Sequence, residues 1–113
     1  MILDIGEKVH ILERRLFPDD LRRHFLGEVL KCEGNMVRTK GYAWVFNNVR
    51  GIFIRKPEIR ERVFYIGERH TVFVIPPDVD LNKLVYIFSK EKGLVVTDQL
   101  KFSLDVTEFS AMR

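Results

Sequence analysis

Residues 25–46, FLGEVLKCEGNMVRTKGYAWVF, predict a β-hairpin. Apolar and polar side chains alternate along both halves of this stretch, as they do in strands with one buried face. The Glu33-Gly34-Asn35 segment between the halves favours a tight turn, because Gly and Asn adopt positive φ at little cost. We therefore expect two paired antiparallel strands, over residues 25–32 and 36–46.

The rest of the chain shows the same alternation, interrupted by residues that favour turns or end strands, such as Asn47-Asn48, Pro57 and Gly67. Strands separated by turn signals about every 8–12 residues are typical of small barrels and barrel-like sandwiches. Residues 17–24 and 78–84 are each expected to contain at most one short helical turn. Further strands are predicted over residues 8–15, 49–56, 59–66, 71–75, 85–89, 94–97 and 102–106.

The length and composition indicate one globular domain. The chain has 113 residues, of which 46% are hydrophobic and 12% aromatic. This excludes a multidomain enzyme and disfavours intrinsic disorder, because the apolar side chains can offset the entropy of ordering. We expect a barrel core over about residues 1–76 and a C-terminal β-hairpin extension over about residues 77–113.

The N-terminal residues and the single cysteine indicate a cytoplasmic protein. No apolar run approaches the roughly 18 residues needed to cross a bilayer. Asp4, Glu7 and Lys8 interrupt the stretch that a signal peptide would need to keep uncharged. Cys32 is the single cysteine of the chain and cannot form an internal disulfide, which fits a reducing compartment.

The alternation also predicts which side chains form the core. Residues 71–75 are a continuous apolar run bounded by Pro76-Pro77, as in a strand that is buried on both faces. The expected core includes Val9, Ile11, Val29, Trp44, Val63, Val72, Val74, Phe102 and Leu104.

Three short segments in the first third of the chain carry a resemblance to a known fold family. They are GEKVHI (residues 6–11), GEVL (residues 27–30) and VRTKG (residues 37–41). Together they resemble the opening of an SH3-like barrel of the KOW kind, which occurs in translation and transcription proteins. The resemblance implies an SH3-like barrel followed by an extra C-terminal β region.

No catalytic, cofactor or metal motif is evident in the sequence. His10, His24 and His70 are far apart and lack the local spacing of metal ligands, so surface or half-buried strand positions are favoured for them. Cys32 lies between Lys31 and Glu33, whose charges largely cancel, and is interpreted as a small buried residue. Acidic pairs occur only where they also favour turns, and the glycines are isolated. The chain is therefore more consistent with a binding protein than with an enzyme.

Arginine is concentrated in the first part of the chain, where ten of the eleven arginines precede residue 70, and the formal net charge is +3. Residues 53–65 interleave basic and aromatic residues, a pattern that suits single-stranded nucleic acid. Neutralisation by Glu58 and Glu61 on a solvated sheet face is the favoured alternative. The candidate anion or nucleic-acid site comprises Arg22, Arg23, Arg55, Lys56, Arg60, Arg62 and Phe64.

The expected function is that of a non-enzymatic binding or protein-interaction module, whose partner is a second copy or another protein. Nine phenylalanines in a short chain favour a homodimer or higher assembly, with Phe88, Leu94 and Phe109 exposed and available for contact. Two alternatives stay open. One is a nucleic-acid-binding β-barrel, and the other is a small-ligand binder or an enzyme.

Overall fold

The computed structural model describes residues 2–108 and shows an all-β protein, which confirms the predicted fold class. Within these residues, no helix has the length and apolar content needed to span a membrane. Residues 17–24, for which the sequence predicts a loop with at most one short helical turn, form an irregular turn as far as Arg22, and Arg23 and His24 begin the second strand. The strands are β1 (Lys8–Glu13), β2 (Arg23–Glu33), β3 (Met36–Asn47), β4 (Ile52–Arg55), β5 (Arg60–Tyr65), β6 (His70–Ile75), β7 (Val85–Ser89), β8 (Gly93–Thr97) and β9 (Ser103–Asp105), with a 3₁₀ turn at Leu81–Lys83.

The first six strands form one antiparallel sheet, in the order β4-β3-β2-β1-β6, and β5 also pairs with β3. The predicted hairpin is the pair of β2 and β3, which has the most extensive register of the sheet. On the edge away from β2, the first half of β3 pairs with β5 and its second half pairs with β4. A register shift between Val29 and Lys31 leaves Leu30 as an extra residue in β2, a β-bulge that bends the strand.

The sheet is open, so the closed form of the predicted barrel is wrong. In the described part of the chain, the end strands β4 and β6 do not pair with each other. Both β4 and β5 take the same edge of β3, which leaves β6 at the far end with β1 as its neighbour. The resemblance to an SH3-like barrel stays a prediction.

The inner face of this sheet carries the core. Val9, Ile11, Phe25, Val29, Val37 and Phe64 form one buried cluster, with Val72 and Cys32 packed partly against it. This confirms the predicted burial of Val9, Ile11 and Val29, whereas Trp44 is half-buried.

Two predicted core valines lie at the surface. Val63 is 51% exposed and Val74 is 53% exposed. In β5 the inward positions belong to Arg62 and Phe64, so Val63 points outward. Val74 is opposite Val9, but β6 is an end strand with one neighbour, and it is not buried on both faces as the apolar run had predicted.

Gly41 allows β3 to pass close to β2. It lies opposite Gly27, at the end of the stretch paired with β5. A Cβ atom at Gly41 would overlap the Leu26 carbonyl oxygen and the Gly27 Cα atom, which are backbone atoms of β2. A side chain at this position would therefore have to push two strands apart.

Contacts divide the chain into two units, Met1–Pro77 and Asp78–Arg113. In the second unit, β7, β8 and β9 form a three-stranded antiparallel sheet. Asp98 Oδ1 accepts the backbone N–H groups of Leu100, Lys101 and Phe102, which fixes the turn between β8 and β9. These hydrogen bonds also lower the pKa of Asp98.

The second unit corrects part of the predicted exposed set. Phe88 is exposed as expected, but Leu94 is buried, because it lies in β8, whose central residues are covered. Phe109 lies outside the described residues. Phe102 and Leu104, both predicted to be buried, are half-buried.

Candidate functional site

The residues of the predicted anion site lie on β5 and at or beside the ends of β2 and β4. Arg60 and Arg62 are on the inner face of β5, where Arg60 is exposed and Arg62 half-buried. Phe64, the aromatic member of the set, is buried in the core, so its ring is not available to stack on a base. Arg55 and Lys56 are exposed at the end of β4, and Arg22 and Arg23 lie at the start of β2.

Three of these arginines lie over aromatic rings. The guanidinium carbon of Arg55 is 4.3 Å from the centre of the Tyr42 ring, and that of Arg22 is 4.9 Å from the Phe46 ring. Arg62 lies 4.7 Å from the Phe64 ring. Cation–π contacts of this kind stabilise the sheet and occupy the ring faces that a base would need.

The outer face of β3 and β5 presents an apolar surface instead. Tyr65 is opposite Met36 and Val63 is opposite Arg38, so these side chains are cross-strand neighbours. Met36 and Val63 are each about half exposed, and Tyr65 is 65% exposed. We call Met36, Val63 and Tyr65, together with the adjacent Lys31, Glu33 and Arg38, the β3–β5 patch.

The β3–β5 patch has a groove of about 420 Å³, lined by residues that include Met36, Arg38 and Val63. Charges of both signs border it. Lys31 Nζ lies 3.6 Å from Glu33 Oε2 at an exposed position, and Lys40 lies opposite Glu61, two residues along the strands from the Arg38–Val63 pair. A surface of this composition can contact an apolar partner at its centre and charged groups of either sign at its rim.

A second feature is a buried histidine pair, so the prediction of surface or half-buried positions is wrong for two of the three histidines. His10 on β1 and His24 on β2 are fully buried, and His10 Nε2 lies 3.1 Å from His24 Nδ1. Their rings meet edge to face, and the Phe53 ring lies against His24 and the Phe73 ring against His10. In this hydrogen bond one ring donates and the other accepts, which two neutral imidazoles can do.

Burial lowers the pKa of both histidines, because the imidazolium form loses its hydration. The pKa of His10 falls to about 3, although a hydrogen bond to its backbone opposes the shift. The pKa of His24 falls to about 2, and repulsion from His10 and Arg22 adds to the effect of burial. Both side chains therefore stay uncharged wherever the protein is folded near neutral pH.

The side chains that bind metals do not cluster in the described part of the chain. Within residues 2–108, no group of three or more His, Cys, Asp or Glu residues is arranged to hold a metal ion. Cys32 is half-buried and packs partly against the inner core, close to the predicted role of a small core residue.

Comparison of the chain with protein-family models, with curated proteins and with solved structures finds no match. The candidate site is therefore defined by its own geometry.

Sequence reasoning missed the β3–β5 patch and the histidine pair for different reasons. The patch depends on which alternate residues of β5 face inward, and the sequence allows both choices. The pair depends on the register of β1 against β2. This register places His24 opposite Leu12, which is two residues from His10 on the same face of β1. The sequence signal is partial, because His10 lies within a predicted strand whereas His24 lies just before the next one, which is predicted over residues 25–32.

Proposed function

We propose that the protein is a non-enzymatic interaction module that associates with a second copy of itself through the β3–β5 patch. The observation that carries this proposal is the exposure of Met36, Val63 and Tyr65 as direct neighbours on one sheet face. Single exposed apolar residues are ordinary, but contiguous ones mark interaction surfaces.

The charges around the patch favour a second copy as the partner. In a two-fold interface, two copies of the same surface face each other, so each charge needs an opposite charge within the same patch. Lys31 and Arg38 supply positive charge, and Glu33 supplies negative charge at the same rim. A partner of uniform charge would leave one of these signs unmatched.

The energetics support reversible association. Burial of apolar surface contributes roughly 25 cal/mol per Å², and loss of translational and rotational freedom opposes it. Three half-exposed apolar side chains and a polar rim are fewer than an obligate dimer uses. We therefore expect a dimer that dissociates on dilution through the micromolar range, of order 1–100 μM.

Light scattering and sedimentation over a concentration series test the proposal. The mass is expected to rise from 13.4 kDa towards twice that value as concentration increases. Val63→Asp places a carboxylate at the centre of the patch and is expected to keep the protein monomeric. Val74→Asp is the matched control, because Val74 is equally exposed on a different strand, and it should leave association unchanged.

Two outcomes contradict the proposal. One is a mass of 13.4 kDa at every concentration. The other is a dimer that both valine variants weaken equally.

A second candidate function, binding of single-stranded nucleic acid, is supported by the stacked arginines Arg22 and Arg55. Guanidinium groups on aromatic rings also stack on bases. If this face binds nucleic acid, Arg22→Ala with Arg55→Ala removes about two phosphate contacts and lowers the salt slope by roughly 1.4 on single strands. Failure of the parent protein to be retained on a single-stranded DNA column at low salt would exclude this function.

A further inference from the structure

A pocket of about 370 Å³ lies where the loop between β1 and β2 meets the turn between β5 and β6. The strand register brings these segments together, since Glu13 at the end of β1 is opposite both Arg23 of β2 and His70 of β6. Four arginines from three separate segments line it. They are Arg14, Arg15, Arg23 and Arg69.

Only two carboxylates line the same pocket, and both have partners within the protein. Glu13 lies 3.7 Å from Arg69. One oxygen of Asp20 accepts the backbone N–H groups of Leu16 and Phe17, each at 3.1 Å. With four arginines and two carboxylates, the lining has a formal charge of +2, and the carboxylate of Asp20 is used to shape the loop.

Backbone hydrogen bonds hold the walls in place. The N–H of Arg14 donates to the Arg69 carbonyl oxygen at 2.6 Å, which joins the end of β1 to the turn before β6. The Arg15 guanidinium donates to the Pro18 carbonyl oxygen at 3.1 Å. These hydrogen bonds fix the walls within the chain itself, so binding does not have to order the loop first.

The loop also contributes an apolar wall. Leu16, Phe17 and Leu21 all line the pocket, and Phe17 is 63% exposed. Three large exposed apolar side chains within six residues are unfavourable in water unless something covers them. The pocket thus combines a positive floor, suited to oxyanions, with an apolar side, suited to an aromatic or aliphatic body.

We propose that this pocket binds a small organic anion that carries at least two negative charges on an apolar or aromatic body. Two charges match the formal charge of the lining, and arginine binds phosphate and carboxylate oxygens in pairs. A volume of about 370 Å³ lies in the range of small-molecule sites, which is roughly 300–1,000 Å³. The pocket shares no residue with the β3–β5 patch, so it is independent of self-association.

Calorimetric titration of the full chain at low salt tests the proposal with four probes. Pyrophosphate and citrate present phosphate and carboxylate charge without an apolar body, ATP presents phosphate charge with an aromatic body, and adenosine presents the body alone. We expect ATP to bind at least about tenfold more tightly than pyrophosphate, and adenosine not to bind at millimolar concentration. The ratio of pyrophosphate to citrate affinity then tells which oxyanion the arginines prefer.

The double variant Arg14→Gln with Arg23→Gln removes two guanidinium groups that make no backbone contact among those described. It should weaken ATP and pyrophosphate binding at least about tenfold, since charge-assisted hydrogen bonds are lost. Arg50→Gln with Arg60→Gln is the matched control, because it removes the same charge from exposed positions outside the pocket. Phe17→Ser, which removes the largest side chain of the apolar wall, should reduce the preference for ATP over pyrophosphate.

Several results overturn the proposal. They are the absence of binding by ATP, pyrophosphate and citrate, equal weakening by the pocket and control variants, and equal affinity for ATP and pyrophosphate in the parent protein. Binding of a single-stranded oligonucleotide without binding of any small probe would assign the arginines to nucleic acid instead. Melting temperatures of all variants, measured without ligand, separate loss of binding from loss of folding.

Discussion

Strands β1 and β5 have the same length and lie in the same sheet, but their surroundings differ. β1 buries four consecutive residues, Val9 to Leu12, on both of its faces. β5 buries Phe64 and leaves Val63 and Tyr65 in solvent on the other face. The difference shows that apolar content alone does not set burial, because His10 is fully buried in β1 while the more apolar Val63 is exposed.

The position of each strand in the sheet accounts for part of this difference. β1 has a neighbour on either side, β2 and β6, and its inner residues Val9 and Ile11 belong to the main core cluster. β5 pairs with half of β3. Substitutions in these strands and their neighbours, and a change of pH, should therefore alter the free energy of unfolding by very different amounts. Four predictions test this.

The largest effect is expected from acid, through His10 of β1 and its neighbour His24 of β2. The folded pKa values of His10 and His24 lie near 3 and 2, well below 6.5, the value of an exposed histidine. Below pH 6.5 the two histidines bind protons in the unfolded chain but not in the folded protein. Their contribution to the free energy of unfolding is therefore fully present above pH 6.5 and is lost as the pH falls towards 3. Each histidine contributes about 1.4 kcal/mol per pH unit, or about 4 kcal/mol for both between pH 7 and pH 5.

Urea denaturation at pH 7 and pH 5 measures this loss. The variant His70→Gln, which removes a histidine outside the pair, should keep the steep dependence on pH. A parent protein whose free energy of unfolding is the same at both pH values would contradict the assignment of a buried neutral pair.

Within β5, neighbouring aromatic residues should differ sharply. Phe64→Ala empties a core position that contacts the Phe25 ring, and should lower the free energy of unfolding by about 3–5 kcal/mol. Tyr65→Ala removes a larger side chain from the exposed face and should cost under about 1 kcal/mol in the monomer. Equal losses for the two variants, measured at a concentration that avoids association, would show that the faces of β5 are reversed.

Gly41, where β3 moves from β5 towards β4, should tolerate no side chain. Gly41→Ala places a methyl group against the backbone of β2 and should cost about 2 kcal/mol or more. Gly67→Ala is the control, since its nearest neighbour would be an ordinary contact at 3.9 Å. Thermal unfolding followed by circular dichroism compares the two, and a stable Gly41→Ala protein would mean that β2 and β3 can separate at this point.

The smallest effect is expected at the end of the sheet, directly across from β1. Val74→Asp should lower the free energy of unfolding by no more than about 1 kcal/mol, because the carboxylate reaches solvent and costs only strand propensity. Val9→Asp, at the position opposite in the register, should cost about 3 kcal/mol or more, since its carboxylate would be buried. Denaturant titration of both variants tests the contrast, and severe destabilisation by Val74→Asp would restore the original prediction of a buried β6.

The sequence predicts the strands of this protein well and their faces less well. Turn residues such as Gly34 and Gly93 adopt positive φ in the structure, so they mark the hairpins from local chemistry alone. In β5 both sets of alternate residues contain apolar side chains, so the sequence does not decide whether Val63 or Phe64 faces inward. Phe64 faces inward in the structure, where it is opposite the buried Val37 of β3. That choice is made by tertiary packing, which no local pattern encodes.

The candidate sites follow the same division. Arg23 was predicted to bind anions and does line the arginine pocket, but Arg14, Arg15 and Arg69 were not part of the predicted set. They meet Arg23 because β1 pairs with both β2 and β6, a contact between distant parts of the chain. The number of arginines predicts that the protein attracts anions, whereas the strand pairing determines which arginines share a pocket.

The pairing of β1 with β6 also has a consequence for synthesis on the ribosome. Lys8 pairs with Ile75, which is translated 67 residues later. One edge of β1 therefore stays unpaired until most of the first unit has emerged from the ribosome. During that interval the edge exposes unpaired N–H and C=O groups beside an apolar strand, the arrangement that templates pairing between neighbouring nascent chains. Slow translation of residues 14–75 would prolong this exposure, and the yield of native protein should therefore depend on elongation rate even where equilibrium stability is unchanged.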